Sequence, residues 1–202
     1  MNDTAHGVLW RRLKYALTPQ QDMYKSIRGH VKGASVLEVG FGTGAGVLQY
    51  AMAAKRVDAI EIDPGAVHFA QEMFPISNVR WIGADITSKS WWSARKRREW
   101  NTMGGYDFAI MIETLEHIEQ WEEVLENIKI LLRKGGRLIM TARNANADLR
   151  RQKDLHEREW TATELYDNLC DFFPSVSLFD YTLQNLQEED THLTPLVAVA
   201  KK

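Results

Sequence analysis

A chain of 202 residues, 45% hydrophobic and 26% charged, carries enough apolar material for one ordinary globular domain and too much for a disordered one. The net charge of −2 makes no global demand for a nucleic acid or a membrane, and the lone cysteine, Cys170, excludes an internal disulfide. No signal peptide and no apolar run of bilayer length can be read, so a cytoplasmic protein without membrane contact is expected.

Thr18-Pro19-Gln20-Gln21 has the form of a helix start, with Thr18 as cap, Pro19 in the first turn and Gln21 closing a capping box. Met23, Tyr24, Ile27 and Val31 make the apolar face of that helix, and residues 1–34 are expected to form a helical cap on a main unit spanning 35–202. Val36, Leu37 and Val39 suit a buried strand over 35–39, and glycines follow at 40, 42, 44 and 46. A helix with Val47, Leu48, Ala51 and Ala54 inward comes next, then a strand over 57–62. Asp63-Pro64 caps and opens another helix, which Pro75 ends. Strands are predicted over 79–82 and 106–112.

Between those two strands, Trp91, Trp92 and Trp100 interleave with Lys89, Arg95, Lys96, Arg97 and Arg98. Such a run can stack and neutralise a nucleic acid. It reads better as one amphipathic helix with Trp92 and Trp100 on the sheet, because it links strands three and four away from the reacting end. Ile118, Trp121, Val124, Leu125, Ile128, Leu131 and Leu132 mark the next helix, which Gly135-Gly136 is predicted to stop before a fifth strand over 137–140. After a polar stretch, Thr161 and Glu164 form a capping box, with Trp160 and Leu165 at the positions of a hydrophobic staple. Cys170 falls in that helix among Leu165, Leu169 and Phe172 and reads as a buried, inert thiol. Closing strands are expected at 176–181 and 193–200. The alternation of strands and helices predicts an α/β sheet with parallel strands.

Glycines directly after a strand let the backbone turn sharply and approach a ligand closely. Glu38 stands two residues before Gly40, where a phosphate would gain nothing from another negative charge but a cationic sulfonium would tolerate it. The segment Val36-Leu-Glu-Val-Gly-Phe-Gly-Thr-Gly-Ala-Gly46 resembles motif I of class I S-adenosylmethionine (SAM)-dependent methyltransferases, and the likeness runs from about residue 30 to 200. It implies a doubly wound, mostly parallel, seven-stranded Rossmann-like sheet with an antiparallel last strand, and SAM as cofactor. It also implies cofactor contacts from Glu38, Gly40, Phe41, Gly42, Thr43 and Gly44, a ribose ligand at Glu61 beside Ile62, an adenine ligand at Asp85 beside Ile86, and Ile112 after strand four. Asp63 competes with Glu61 but suits a helix N-cap better, and Asp85 also suits a simple turn. A nicotinamide enzyme is the rival, since Gly40-x-Gly42-x-x-Ala45 matches the dinucleotide fingerprint and Glu61 is correctly spaced. No Tyr-x-x-x-Lys pair occurs, and no second catalytic domain fits in the chain.

Glu113, Glu116 and His117 follow strand four, at the carboxyl end where open α/β sheets bind ligands. If 113–117 is a helical turn, these residues share one side and suit a divalent cation, Mg²⁺ or Mn²⁺. Together with His156 and Glu159-Trp160-Thr161 downstream, the pattern resembles the small-RNA 3′-end 2′-O-methyltransferases. The first half also resembles the O-methyltransferases of ubiquinone synthesis. The resemblance implies metal ligation by Glu113, Glu116, His117 and His156, and O-methylation of a small molecule or an RNA 3′ end. Thr141-Ala-Arg-Asn144-Ala-Asn146 loosely resembles the Asn-bearing loops of both families. Without a metal, His117 or His156 could accept the hydroxyl proton. Metal-free methylation of a small-molecule or sugar acceptor and a non-catalytic SAM-binding partner protein are the alternatives. Tyr15 or Tyr24 could lie against the sulfonium or serve as core aromatics. The absence of Asn-Pro-Pro-Tyr and Pro-Cys disfavours DNA methylation and stable DNA binding.

Overall fold

The computed structural model describes residues 20–88, 105–146, 158–179, 183 and 195–202. Among them the elements run α1 (Gln20–His30), β1 (Ser35–Val39), α2 (Ala45–Tyr50), β2 (Arg56–Glu61), α3 (Pro64–Met73), β3 (Val79–Gly83), β4 (Tyr106–Met111), a 3₁₀ turn (Leu115–His117), α4 (Trp121–Leu131), β5 (Leu132–Ala142), α5 (Ala162–Phe172), β6 (Ser175–Phe179) and β7 (Leu196–Lys201). The Thr18 cap, Tyr15, the Trp-rich segment apart from Ser88, and His156 lie outside the described residues.

The seven strands form one sheet in the order β3-β2-β1-β4-β5-β7-β6. All neighbours are parallel except β7, which runs antiparallel to both β5 and β6. The strand order reverses between β1 and β4, and a crevice for ligands opens beyond the carboxyl ends at such a switch point. Strands in a parallel sheet are buried on both faces and so read as continuous apolar runs. Side-chain parity then assigns each residue to a face. Leu37, Val39, Ile60, Ala109, Met111, Leu138 and Met140 pack with α4 and α5. Val36, Ala59, Ile110, Ile112 and Ile139 pack with α1, α2 and α3. Glu38 shares the parity of Val36, which sends its carboxylate toward α1 and α2.

Local signals fixed most boundaries. Asp63 accepts the Gly65 N–H at 2.8 Å with Pro64 in the first turn of α3, and that helix ends at Met73, two residues before Pro75. Thr161 and Glu164 close the capping box of α5 in both directions, at 3.1 and 2.8 Å.

Two expectations are corrected. Gly135-Gly136 does not stop α4; the helix ends at Leu131 and β5 begins at Leu132. The glycines instead form an irregularity inside β5, where the pairing jumps from Tyr106–Leu132 to Phe108–Arg137. Gly135 adopts φ 76°, a left-handed conformation that favours glycine, and its N–H donates to the Lys202 carbonyl while Lys202 N–H returns a bond to Gly136. Cys170 is exposed rather than buried. The buried face of α5 is Ala162, Leu165 and Leu169, and the residue after Leu169 is turned about 100° away from it.

On the side of the sheet away from the crevice, Asp58 is 1% exposed in the middle of β2. It accepts two bonds from Arg80, at 2.5 and 2.7 Å, and one from the Tyr106 hydroxyl at 2.5 Å. Arg56 lies over the Tyr106 ring at 5.3 Å.

Candidate active site

The crevice is an open cleft of about 930 Å³ whose walls include Gly40, Gly42, Glu61, Ile62, Asp85, Thr87, Glu113, Thr114 and His117. Each of these ends or follows β1, β2, β3 or β4, so the carboxyl ends of those four strands deliver them to one place. Gly40 turns the chain at the end of β1 with φ 73°. A side chain there would collide with Thr114, so the glycine loop and the turn after β4 can approach only without it.

Glu61 ends β2 and ties this loop to the next. Its Oε2 accepts the Gly42 N–H at 2.8 Å, and its Oε1 accepts the N–H groups of Ile62 at 2.8 Å and Asp63 at 3.1 Å. A carboxylate offers about four acceptor positions, and three are taken here, so it can still receive a hydroxyl on its outward side. Ile62 beside it is 68% exposed and presents an apolar surface to the cleft. Asp85 uses Oδ1 for a local turn, accepting the Thr87 N–H at 2.8 Å and the Thr87 hydroxyl at 2.7 Å, which leaves Oδ2 outside these bonds. Asn127 of α4 donates to the Ile86 carbonyl at 2.8 Å and so anchors this loop from behind.

Glu38, Phe41, Thr43, Gly44, Ile112 and Glu116 are not among the residues lining the cleft. Phe41 packs edge-on against Trp81, with ring centroids 4.9 Å apart, and supports the loop from beneath. Glu38 is 1% exposed, and its oxygens accept the hydroxyls of Tyr24 at 2.9 Å and Tyr50 at 2.6 Å. Tyr24, a candidate for the sulfonium, therefore points its hydroxyl at Glu38, with its ring stacked on Tyr50. Burial pushes the Glu38 carboxyl up to about 7, against the lowering effect of the two phenols.

The folded protein thus binds a proton at Glu38 between about pH 4.5 and 7 that the unfolded chain has lost, so stability falls as pH rises through that window. The full cost above pH 7 is about 3 kcal/mol. Urea unfolding of the native protein and Glu38→Gln should show the native form losing stability relative to the variant by about that amount from pH 5 to 8. Parallel curves would contradict the assignment.

The turn after β4 differs from the expected helical turn. Glu113 adopts φ 48°, left-handed for a non-glycine residue, and only Leu115–His117 is helical, in 3₁₀ form. Glu113, Glu116 and His117 therefore do not share one side. Glu116 turns inward and is 0% exposed, whereas His117 is exposed in the cleft wall. Among the described residues no three of His, Cys, Asp and Glu converge as a metal cluster. Glu116 is the unusual member, because neither carboxylate oxygen has a hydrogen-bond partner among the described residues. Burial and then the neighbouring Glu113 charge push its carboxyl up to about 8, and its own backbone N–H and then Arg143 offset this in part.

The downstream half of the motif docks here. Arg158 N–H donates to the Glu116 carbonyl at 3.3 Å, Trp160 N–H to Arg143, and Ala145 N–H to Trp160. Arg143 directs Nε to Glu159 at 3.3 Å. Residue-type reasoning had no signal for Thr87, Asn127 or Thr114, since each acts through its particular hydrogen bond. Tyr50 was missed as well: the inward face expected for that helix was Val47, Leu48, Ala51 and Ala54, whereas within α2 the buried residues are Val47 and Tyr50, one turn apart.

The reversed β7 beside a parallel sheet with its switch point at β1 and β4 separates this fold from the dinucleotide-binding one and defines a Rossmann-like methyltransferase. The chain belongs to the family described as "Methyltransferase domain", whose model matches residues 10–182, and it is a SAM-dependent methyltransferase. This removes the nicotinamide rival. A sequence search of curated proteins finds no significant match. Among solved structures, the N-methyltransferase NodS of Bradyrhizobium japonicum WM9, in complex with S-adenosylhomocysteine, is 22% identical over 90% of this chain and 84% of its own, with a TM-score of 0.59. The protein in complex with the Haloferax volcanii Trm112 methyltransferase activator is 13% identical over 94% and 92%, with a TM-score of 0.68. The methyltransferase domain of the bacterial CtHen1-CN protein is 16% identical over 90% and 97%, with a TM-score of 0.65. These likenesses establish the fold. No described helix is long and apolar enough to cross a membrane.

Proposed function

We propose that this methyltransferase delivers its methyl group to a hydroxyl oxygen, one of a vicinal pair such as a dihydroxy aromatic or an RNA 3′ end. In this reading Glu113, Glu116, His117 and His156 form the reacting end around a divalent cation, Mg²⁺ or Mn²⁺. The observation that carries it is Glu116: a fully buried carboxyl whose oxygens have no hydrogen-bond partner among the described residues is costly, and a cation shared with Glu113 would remove that cost. The backbone bond from Arg158 to the Glu116 carbonyl brings Arg158, two positions after His156 in the sequence, to the same turn. Carboxylate oxygens with imidazole nitrogens suit Mg²⁺ or Mn²⁺. A bound cation lowers the pKa of a hydroxyl and orients two neighbouring oxygens.

The chain's own groups do the rest. Gly40, Gly42, Glu61, Ile62, Asp85 and Ile86 hold the cofactor, with Glu61 on a ribose hydroxyl and Asp85 Oδ2 on the adenine amino group. Glu38, Phe41, Thr43, Gly44 and Ile112 support it from behind the cleft wall. Methyl transfer needs the acceptor oxygen in line with the sulfonium methyl at roughly 3–3.5 Å, so fixing that line is a large part of catalysis. Without the cation, His117, in the cleft wall, is the base that takes the hydroxyl proton on an imidazole nitrogen. The exposed position of His117 in that wall favours a second reading, metal-free methylation of a small-molecule or sugar hydroxyl with His117 as base.

Transfer from tritiated SAM to a short RNA with a 3′-terminal diol, the same RNA ending in a 2′-deoxy sugar, and a dihydroxy aromatic decides between them, each with Mn²⁺ or EDTA. The cation reading expects labelling of a diol acceptor with Mn²⁺ and background labelling in EDTA. Full activity in EDTA supports the metal-free reading, and no transfer to any hydroxyl contradicts both.

A further inference from the structure

Glu113 holds a conformation that its sequence does not favour. Its φ of 48° is left-handed, a region costly for a side-chain-bearing residue and found where surrounding structure enforces it. The enforcing group is Thr141, in β5. Its Oγ1 accepts the Glu113 N–H at 2.8 Å and donates to Glu113 Oε1 at 3.0 Å, so one hydroxyl grips both the backbone and the carboxylate of the same residue. Thr141 is 0% exposed, so water does not compete for either bond. Its neighbours along β5, Ile139, Met140 and Ala142, and its β7 partner Val197 are buried and apolar. Valine would serve that strand position at least as well, and a buried hydroxyl there is useful only through what it binds. The next residue, Thr114, is held from the other side, its Oγ1 donating to the Ile112 carbonyl at 2.9 Å and approaching the Gly40 carbonyl at 3.5 Å. The turn is thus clamped between β5 and the glycine loop.

We infer that Thr141 is a positioning residue for methyl transfer, aiming the Glu113 carboxylate at the acceptor end of the cleft. This rests on the reading above that Glu113 serves the acceptor site with a divalent cation.

The test uses the full chain, with Mn²⁺ binding followed by the free-ion EPR signal in saturating S-adenosylhomocysteine, and S-adenosylhomocysteine affinity measured by calorimetry. Thr141→Val should leave S-adenosylhomocysteine affinity within about threefold of native and weaken Mn²⁺ binding at least tenfold, while Thr141→Ser restores it to within about threefold. If the valine variant does not fold, Thr141→Ala takes its place with the same expectation. Loss of Mn²⁺ affinity in the variant without the hydroxyl and its return with serine support the inference. Equal Mn²⁺ affinity in native protein and the variant without the hydroxyl overturns the inference alone. Absence of Mn²⁺ binding by the native protein overturns the cation reading, and the inference with it.

Discussion

Asp58→Ala is expected to destabilise the protein by about 3 kcal/mol and to lower Tm by about 10 °C. The carboxylate is buried and accepts three bonds, two from Arg80 and one from Tyr106. The partners respond differently to its loss. The Arg80 side chain is 44% exposed and can turn to water, which limits its share. Tyr106 is 0% exposed, so its hydroxyl loses the Asp58 acceptor where water does not replace it. Burial and the Asp58 charge also hold that phenol far above its ordinary range, in keeping with a purely neutral donor. The double variant Asp58→Leu, Tyr106→Phe removes that hydroxyl as well and should recover more than half of the loss, because apolar replacement of a buried polar pair is often close to neutral. Thermal unfolding followed by circular dichroism checks both. A single variant within about 1 kcal/mol of native would show that the network does not hold the edge of the sheet.

What the sequence disclosed follows from how local the cause was. The strands that lead to Gly40, Glu61 and Asp85 are short, mostly apolar runs, each with one charged residue inside, Glu38, Asp58 and Arg80, and the caps at Asp63 and Thr161 act within three residues, so both were visible in one dimension. Gly135-Gly136 looked like a helix stop because glycine favours both helix ends and strand irregularities. Only pairing with Tyr106 and Lys202, both distant in sequence, decides for the strand. Cys170 shows the limit of reading a helix by composition: apolar neighbours surround it, but the angular phase of the helix turns it outward.

The same limit governs the reacting end. Glu113, Glu116 and His117 were legible as chemistry, but their shared face was not. A left-handed residue at Glu113 breaks the helical spacing, and its cause is a hydroxyl 28 positions away. The destination of Glu38 was half legible. Strand parity sends it toward α1 and α2, but the pairing with two tyrosines from two different helices needs the packed fold.

Glu61→Ala is expected to weaken S-adenosylhomocysteine binding by roughly 100-fold. The proposed ribose contact is a hydrogen bond to a charged acceptor, contributing about 1.5–3 kcal/mol, and the variant loses it. It also frees the Gly42, Ile62 and Asp63 N–H groups that now fix the cofactor loop on Glu61. Part of the loss therefore comes from pre-organisation. Glu61 itself is only partly buried at the end of β2, so the fold should survive the change. Isothermal titration of S-adenosylhomocysteine into native protein and Glu61→Ala, with a nicotinamide dinucleotide as the competing ligand, examines the cleft at the carboxyl ends of β1, β2 and β4 directly. A native protein that takes up S-adenosylhomocysteine and ignores the dinucleotide, beside a folded variant that binds the former about two orders of magnitude more weakly, is the predicted result. Unchanged affinity in the variant, or native uptake of the dinucleotide alone, would contradict it.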